Sequence, residues 1–164
     1  MSDEPQRMMY SVDTNVFMDW HVRYYPTDIF PTLVVKLDDM IAAGQILCPV
    51  IVKEELDAVG TAQLSEWAKN RAQIFVPLVE VLAQGLSIQS RFPGMKDPKA
   101  LYEEADAYVI ALAALRNGTV VTQETSASEK HKSKRSHYIP DVCRELGIPC
   151  ISLLGMLRRE GITL

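Results

Sequence analysis

A chain of 164 residues with 48% hydrophobic content can bury one ordinary core and is too short for two comfortable domains. We therefore predict a single domain over residues 1–164, with residues 1–7 as a flexible N-terminal tail. The net charge of −4 argues against a protein that coats nucleic acid by bulk charge, but it leaves local contact with nucleic acid open.

The sequence predicts a soluble, cytoplasmic protein. No apolar run approaches the ~20 residues that cross a bilayer, and the N-terminus MSDEPQR lacks the basic-then-apolar order of a signal peptide. The cysteines form no CxxC pair and lie in apolar settings, which favours buried reduced thiols. The histidines lack zinc-ligand spacing, so we expect them on the surface or in loops. These residues are Cys48, Cys143 and Cys150, and His21, His131 and His137.

The first predicted strand covers residues 8–12 and ends in Asp13-Thr14-Asn15, after which an amphipathic helical stretch begins at once. Asp13 therefore follows a strand at its carboxyl end, which is the edge where open α/β sheets bind ligands. The alternative interpretation is that Asp13 or Thr14 only caps the following helix.

Strands and helices alternate along the remaining chain, which predicts an α/β fold with a mainly parallel sheet and helices on both faces. We predict further strands at residues 46–48, 74–78, 119–122 and 150–153. We predict helices at residues 31–43, 50–59, 62–72, 79–92, 101–117, 140–146 and 155–160. Residues 21–31 and 91–99 read as turns or loops, and residues 123–138 as a polar, mobile loop.

Acidic residues recur near the predicted strand ends. Asp13 and Glu124 each follow a strand, and Glu54 and Glu55 lie early in the helix after the second strand, although two adjacent glutamates cannot both face inward. Asp106 shares the inward face of its helix with Val109, Ile110 and Ala113. A carboxylate on such a face is costly unless it is paired, hydrogen-bonded or bound to an ion. Four acids are thus predicted to converge.

Other acids have a simpler explanation, because the helix dipole stabilises a negative charge in the first turn. This explanation suits Glu103 and Glu104 better than Asp106, which is expected to lie deeper in its helix, and it is adequate for Asp141 beside Pro140.

A cluster of carboxylates repels itself unless cations intervene. Hard oxygen ligands without histidine or cysteine favour Mg²⁺ or Mn²⁺. The corresponding chemistry is metal-assisted hydrolysis of a phosphodiester. The sequence therefore predicts a metal-dependent nuclease site, with helix capping as the alternative for each acid.

Four positive charges fall within residues 130–135, at Lys130, Lys132, Lys134 and Arg135. Their position shortly after Glu124 suits contact with a phosphate backbone, and a solvated loop is an equal alternative. Tyr24 and Tyr25 could stack on bases, but we expect at least one of them to be buried.

Several motifs occur in a fixed order: SVDTNVFMD at residues 11–19, a glutamate directly before Leu56, EADAYVIALA at residues 104–113 and VVTQE at residues 120–124. Together they resemble the motifs of PIN-domain ribonucleases, including VapC-like toxins, over nearly the whole chain. RYYPTDIFP, VKEEL and IPDVCRELGI further resemble a PIN-like subfamily of bacterial and archaeal proteins.

The resemblance implies a three-layer α/β/α PIN-like domain with a central, mainly parallel sheet, and a Mg²⁺- or Mn²⁺-dependent endoribonuclease. It implies as catalytic acids and metal ligands Asp13, Glu55 (with Glu54 as the competing choice), Asp106 and Glu124. Asn15 and Thr122 are expected to support them. Glu124 stands where the family usually has an aspartate, which leaves one or two ions open. The resemblance also implies a toxin with a cognate antitoxin, an RNA substrate and a homodimer.

Two competing functions remain. A haloacid-dehalogenase-like phosphatase needs a second aspartate where Asn15 stands, so it ranks low. The other is a noncatalytic PIN-like module that binds RNA or a partner protein, and the glutamate at position 124 is its support.

Overall fold

Five short apolar segments form the strands of one sheet in the computed structural model, which describes residues 7–100 and 104–164. The strand order is β3-β2-β1-β4-β5, and every pairing is parallel. Tyr10 of the central strand lies opposite Ile46 on one side and Thr119 on the other. The strands are β1 (Tyr10–Val12), β2 (Ile46–Pro49), β3 (Phe75–Val76), β4 (Thr119–Val121) and β5 (Cys150–Ile151).

Helices connect consecutive strands, as parallel pairing requires. They are α1 (Thr14–Met18), α2 (Pro31–Ala42), α3 (Val50–Val59), α4 (Ala62–Lys69), α5 (Leu78–Arg91), α6 (Asp106–Arg116), α7 (Ile139–Leu146) and α8 (Leu153–Arg159). Pro31 occupies the first turn of α2, and Gly147 ends α7 at a φ of 69°, a left-handed conformation that glycine adopts without a Cβ clash.

Helices cover both faces of the sheet. Successive side chains of a strand point to opposite faces, so the contacts of Ser11 and Val12 report on one face each. Ser11 donates a 2.7 Å hydrogen bond to the Val109 carbonyl oxygen of α6 on one face. Val12 packs on the other face among apolar side chains that include Trp20 and Met156. The predicted three-layer α/β/α architecture is confirmed, and the sheet is entirely parallel.

The outer helix α5 packs closely on α6. A Cβ at Gly85 would collide with the ring of Tyr108, so a side chain larger than hydrogen does not fit at this contact. Val109, Ile110, Ala111 and Leu112 of α6 are buried, which makes this helix part of the core and holds its N-terminus in a defined place beside the sheet edge.

Several predicted boundaries are wrong. The helix after β1 does not give way to a turn at residue 21 but continues as a π-helix (Asp19–Tyr24). Residues 104 and 105 precede α6, so the predicted helix over residues 101–117 begins later, and residues 101–103 lie outside the described range. The predicted helix over residues 62–72 ends at Lys69. Short 3-10 turns, which the sequence analysis did not predict, lie at Ala72–Ile74, Pro93–Met95 and Ala127–Glu129. The final helix begins at Leu153, because the Ser152 hydroxyl caps it by accepting from Gly155 N.

The expectation of a surface His21 is wrong. His21 is 7% exposed, and its ring lies 4.7 Å from the Trp20 ring and 5.4 Å from the Trp67 ring between centroids. Burial lowers the pKa of His21, with a further contribution from nearby Arg71, and both favour the neutral ring. Among the cysteines, Cys48 and Cys143 are buried, whereas Cys150 is half-buried.

Within residues 7–100 and 104–164, no helix combines the length and apolar character needed to span a membrane. The predicted flexible tail, residues 1–7, falls outside the described range except for Arg7.

Candidate functional site

The carboxyl ends of the parallel strands carry the candidate acids. Asp13 follows β1 directly, Glu124 lies three residues after β4, and Glu55 lies in the second turn of the helix that follows β2. Asp106 is the first residue of α6, whose N-terminus reaches the same edge. Parallel pairing thus brings together residues that are up to 111 positions apart in the chain.

Three of the four acids form a compact group. One carboxylate oxygen from each of Asp13, Asp106 and Glu124 lies within 4.8 Å of the other two. Asp13 is buried, and the other two are partly buried. This group, which we call the acidic cluster, opens into a cavity of about 400 Å³ lined also by Glu55, Glu104 and Arg135.

The Asp13 carboxylate is fixed by two hydrogen bonds. Its Oδ1 accepts from Thr14 N at 2.8 Å, and its Oδ2 accepts from Thr122 Oγ1 at 2.9 Å. The first bond is the helix cap that the alternative interpretation predicted, so Asp13 caps α1 and also belongs to the cluster. Thr122 thereby supports Asp13, as the resemblance implies.

The Glu124 side chain reaches the cluster from the segment after β4. Its Oε2 accepts from Ile139 N at the start of α7 at 3.1 Å, and its backbone N–H donates to Thr122 Oγ1 at 3.1 Å. The glutamate at this position is therefore anchored at both its backbone and its side chain, and its longer arm brings a carboxylate to Asp13 and Asp106.

Asp106 does not lie deeper in its helix, as the sequence predicted, but opens it. The helix dipole therefore favours the charge of Asp106. Its Oδ2 also accepts from Arg135 Nη1 at 3.0 Å, and Arg135 Nη2 lies 3.2 Å from Glu104 Oε2. Arg135 is thus a resident counter-charge that bridges a member of the acidic cluster and its neighbour.

Glu55, rather than Glu54, faces the site. Its Oε2 accepts from Thr14 Oγ1 and its Oε1 from Ala105 N, both at 2.7 Å, whereas Glu54 is exposed. Glu55 lies outside the group of three acids that meets the ligand spacing, although it lines the cavity. Its two bonds tie the start of α1 to the start of α6, which places Asp13 and Asp106 relative to each other.

Burial and mutual repulsion raise the proton affinity of the whole cluster. Burial raises the pKa of Asp13 to about 7, with a further contribution from the charge of Glu124. Burial also raises the pKa of Asp106 well above its ordinary value, together with the charges of Glu124 and Asp13, while Arg135 opposes this shift. The pKa of Glu124 is raised by burial as well. Close carboxylates that disfavour ionisation mark the acidic cluster as a candidate cation site.

A family described as Domain of unknown function (DUF4411) matches residues 10–164. The chain belongs to this family. No curated protein and no solved structure matches the chain. The DUF4411 match covers all five strands and every member of the acidic cluster.

The donor set of this DUF4411 domain fits a hard divalent cation. Three carboxylates offer oxygen ligands within the spacing that one ion can span, and neither histidine nor cysteine is part of the group. Mg²⁺ and Mn²⁺ meet this description, and both leave coordination positions for water and phosphate. The residues present therefore fit the ion that the resemblance implies.

A second group of polar residues holds the segment after β4: Asn15, which the sequence analysis expected to support the site, and Gln123 and Asp19, which it missed. Gln123 N donates to Asn15 Oδ1 at 3.1 Å, and Gln123 Nε2 donates to Asp19 Oδ2 at 3.1 Å. The Gln123 side-chain oxygen accepts from Leu153 N at 2.9 Å. Asn15 thus supports the site by fixing the backbone beside Glu124. The four-residue spacing of Asn15 and Asp19 on one helical face was the available signal.

The basic residues after Glu124 divide into two kinds. Lys132 and Lys134 are exposed. Lys130 Nζ instead donates to Thr125 Oγ1 at 3.0 Å and lies 4.4 Å from the centre of the Tyr138 ring, and Arg135 points into the acidic cluster. Of the four basic residues predicted to contact an RNA backbone, the two exposed lysines are therefore the better candidates.

Two remaining expectations concern residues near the site. Asp141 lies in the first turn of α7, where the sequence analysis expected its charge to be stabilised, and its carboxylate accepts from Tyr138 N at 2.8 Å and Ala127 N at 2.9 Å. Tyr25 packs edge-on against Phe30 but is only half-buried, and Tyr24 is 62% exposed, so neither tyrosine is fully buried, although one was expected to be.

Proposed function

We propose that this protein is a Mg²⁺- or Mn²⁺-dependent endoribonuclease that hydrolyses RNA phosphodiester bonds. The observation that carries the proposal is the convergence of Asp13, Asp106 and Glu124, with ligand atoms within 4.8 Å of one another at the carboxyl edge of the sheet. The resemblance to PIN-domain ribonucleases supports the choice of RNA as substrate.

The four acids have two roles in the proposed site. Asp13, Asp106 and Glu124 hold the ion, and Glu55 positions the two helix starts that carry Asp13 and Asp106. When bound there, the ion would polarise the phosphate as a Lewis acid and activate a water. Thr122 and Arg135 fix the carboxylates of Asp13 and Asp106 through their hydrogen bonds.

The remaining parts of the proposal rest on the resemblance of the motifs. They are that the protein acts in the cytoplasm as the toxin of a toxin–antitoxin pair, that a cognate antitoxin binds it, and that it forms a homodimer. An antitoxin would be recognised by its ability to block metal-dependent RNA cleavage when it is added to the purified protein.

One observation favours the alternative, a noncatalytic module that binds RNA or a protein partner. Arg135 pairs with both Asp106 and Glu104, so an internal guanidinium already offsets part of the negative charge. With part of its negative charge already offset, such a module depends less on a divalent ion.

The test is metal binding and RNA cleavage by the purified protein. We expect calorimetric titration with Mn²⁺ to show saturable binding, and a pool of structured and single-stranded RNA to be cut with Mg²⁺ or Mn²⁺ but not with EDTA. A folded protein, free of partner protein, that neither binds Mn²⁺ nor cuts RNA would be a noncatalytic module.

We predict that Glu55→Gln lowers the cleavage rate by about 10- to 100-fold, which is the usual cost of removing a residue that orients metal ligands. Glutamine keeps only one of the two acceptor oxygens that bind Thr14 and Ala105. Initial rates at saturating Mg²⁺ measure the effect, and the exposed neighbour substitution Glu54→Gln is the matched control with a wild-type rate. A loss as complete as that of Asp13→Asn would make Glu55 a metal ligand instead.

We predict that changing both Lys132 and Lys134 to alanine weakens RNA binding and flattens its salt dependence. Each lost contact with a phosphate of single-stranded RNA removes about 0.7 from the slope of log K against log salt concentration. Fluorescence anisotropy with labelled RNA at several salt concentrations gives this slope. The double substitution Lys36→Ala and Lys69→Ala removes two exposed charges elsewhere as the control. Equal slopes for the two double variants would show that residues 132–134 do not contact the RNA.

A further inference from the structure

A second cavity adjoins the cavity of the acidic cluster. Its volume is about 440 Å³, and the two cavities share Glu104 and Asp106 in their walls. The other walls come from the C-terminal part of α5 and from the turn that follows it. A volume of this size lies within the range of roughly 300–1,000 Å³ that small-molecule sites occupy.

The floor of this second cavity belongs to the hydrophobic core. Phe92 and Met95 are 4% and 3% exposed and line the cavity, and Leu86 adds apolar surface from α5. Backbone hydrogen bonds fix the turn that carries them, since Phe92 N donates to the Ile88 oxygen at 2.9 Å and Met95 N donates to the Phe92 oxygen at 3.1 Å. Buried side chains and a hydrogen-bonded turn therefore define the shape of the cavity.

The rim of the cavity is polar. Ser90 and Lys96 are exposed at its edge, and the shared wall carries the carboxylates of Glu104 and Asp106. Arg135 pairs with both carboxylates and offsets one of their two charges, so the shared wall keeps a net negative charge that disfavours an anionic group inside the cavity. The apolar floor disfavours a hydrated cation. A neutral, flat group with hydrogen-bonding edges satisfies both walls.

A nucleobase has these properties. Proteins that act on single-stranded RNA hold splayed-out bases in pockets beside the backbone contacts. Glu104 and Asp106 line both cavities. A phosphate held at the acidic cluster would therefore have one of its flanking nucleosides next to the second cavity. Lys96 at the rim suits the neighbouring phosphate.

We infer that this cavity, the base pocket, binds one nucleobase next to the scissile phosphate of a single-stranded RNA. The base pocket is lined by Leu86, Ser90, Phe92, Met95 and Lys96. The inference rests on the proposed endoribonuclease function and assigns its substrate class: RNA with an unpaired base at one position flanking the cut.

The test combines a substitution that fills the base pocket with an RNA that lacks the base expected to bind there. Ser90→Trp places an indole into the cavity from an exposed position on α5, and Ser87→Trp places the same side chain at an exposed position of that helix outside the cavity lining. For wild type and Ser87→Trp, we expect an abasic ribose at one flanking position to lower kcat/KM by roughly 5- to 100-fold, the usual effect of one lost base contact. For Ser90→Trp, we expect kcat/KM on intact RNA to be lower than that of wild type by the same factor. We also expect this variant to cut abasic RNA as fast as it cuts intact RNA.

A second readout does not depend on cleavage. Free adenosine, guanosine, cytidine and uridine at millimolar concentration are titrated into the metal-free protein, and the methyl resonances of Met95 and Leu86 are followed by NMR. We expect saturable shifts with at least one nucleoside in wild type and Ser87→Trp, and none in Ser90→Trp.

The two readouts separate the two proposals. Shifts at Met95 without any metal-dependent cleavage support the pocket and overturn the nuclease. Cleavage that is indifferent to abasic positions and equal in the two tryptophan variants overturns the pocket and leaves the nuclease standing. The absence of nucleoside shifts in wild type also overturns the pocket.

Discussion

Asp13→Asn is expected to lower metal-dependent RNA cleavage by about 10³-fold or more while the fold stays intact. Loss of the ion removes several kcal/mol of transition-state stabilisation, and each 1.4 kcal/mol or so is a factor of ten in rate. Asparagine preserves the shape of the side chain and can still accept from Thr14 N, so the start of α1 keeps its cap. Single-turnover cleavage rates at saturating Mg²⁺ and Mn²⁺ measure the loss.

Asp106→Asn is expected to give the same loss, because it removes a second member of the acidic cluster. Asp28→Asn, which neutralises an exposed aspartate outside the cluster, is the matched control and is expected to cut RNA at the wild-type rate. Circular dichroism of all three variants checks the fold. Wild-type cleavage by either cluster variant would show that the site lies elsewhere.

The same Asp13→Asn substitution is expected to stabilise the metal-free protein by about 1–3 kcal/mol at pH 8. Asp13 is 4% exposed, and burial together with the charge of Glu124 raises its pKa to about 7. One unit of pKa corresponds to about 1.4 kcal/mol, so ionised Asp13 costs the folded state a few kcal/mol, of which the altered hydrogen bonds of asparagine take back a part. Chemical denaturation in EDTA measures the difference.

The sign of the pH dependence follows from the raised pKa. Between pH 4 and pH 7 the folded state holds more protons than the unfolded state, so the stability of the metal-free wild type decreases as pH rises through this window. Asp106 and Glu124, whose pKa values are also raised, act in the same direction. The stability difference between Asp13→Asn and wild type should therefore be small near pH 4 and reach its full value above pH 7.

Addition of Mn²⁺ should reverse the order of the two proteins. An ion that binds only the folded state stabilises it in proportion to the logarithm of its concentration above the Kd, and the variant lacks this gain. Asp28→Asn should follow the wild type at every pH and metal concentration. A metal-free Asp13→Asn that is no more stable than wild type at pH 8 would contradict a strained acidic cluster.

The sequence determined most of the architecture. Alternation of short apolar strands with amphipathic helices dictates parallel pairing, and parallel pairing puts the carboxyl ends of β1 and β4 at one edge. Asp13 and Glu124 follow those ends in the chain, so their convergence could be inferred without coordinates. The helix boundaries marked by Pro31 and Gly147 were likewise local, since each residue restricts its own backbone.

Other features were decided by partners distant in the chain. The boundary of α6 depends on Glu55, whose carboxylate accepts from Ala105 N across a separation of 50 residues. His21 is buried because Trp67 of α4 packs against it, and nothing in its own neighbourhood of the sequence signals this contact.

The choice of Glu55 over Glu54 required the rotational phase of α3 relative to the sheet, which the adjacent glutamates leave undetermined. Arg135 belongs to an irregular segment whose path has no periodicity to read. Only the tertiary structure shows that its guanidinium meets Asp106 and Glu104 while Lys132 and Lys134 stay in solvent. Local sequence determines which elements form, whereas the pairing of side chains between elements depends on how those elements pack.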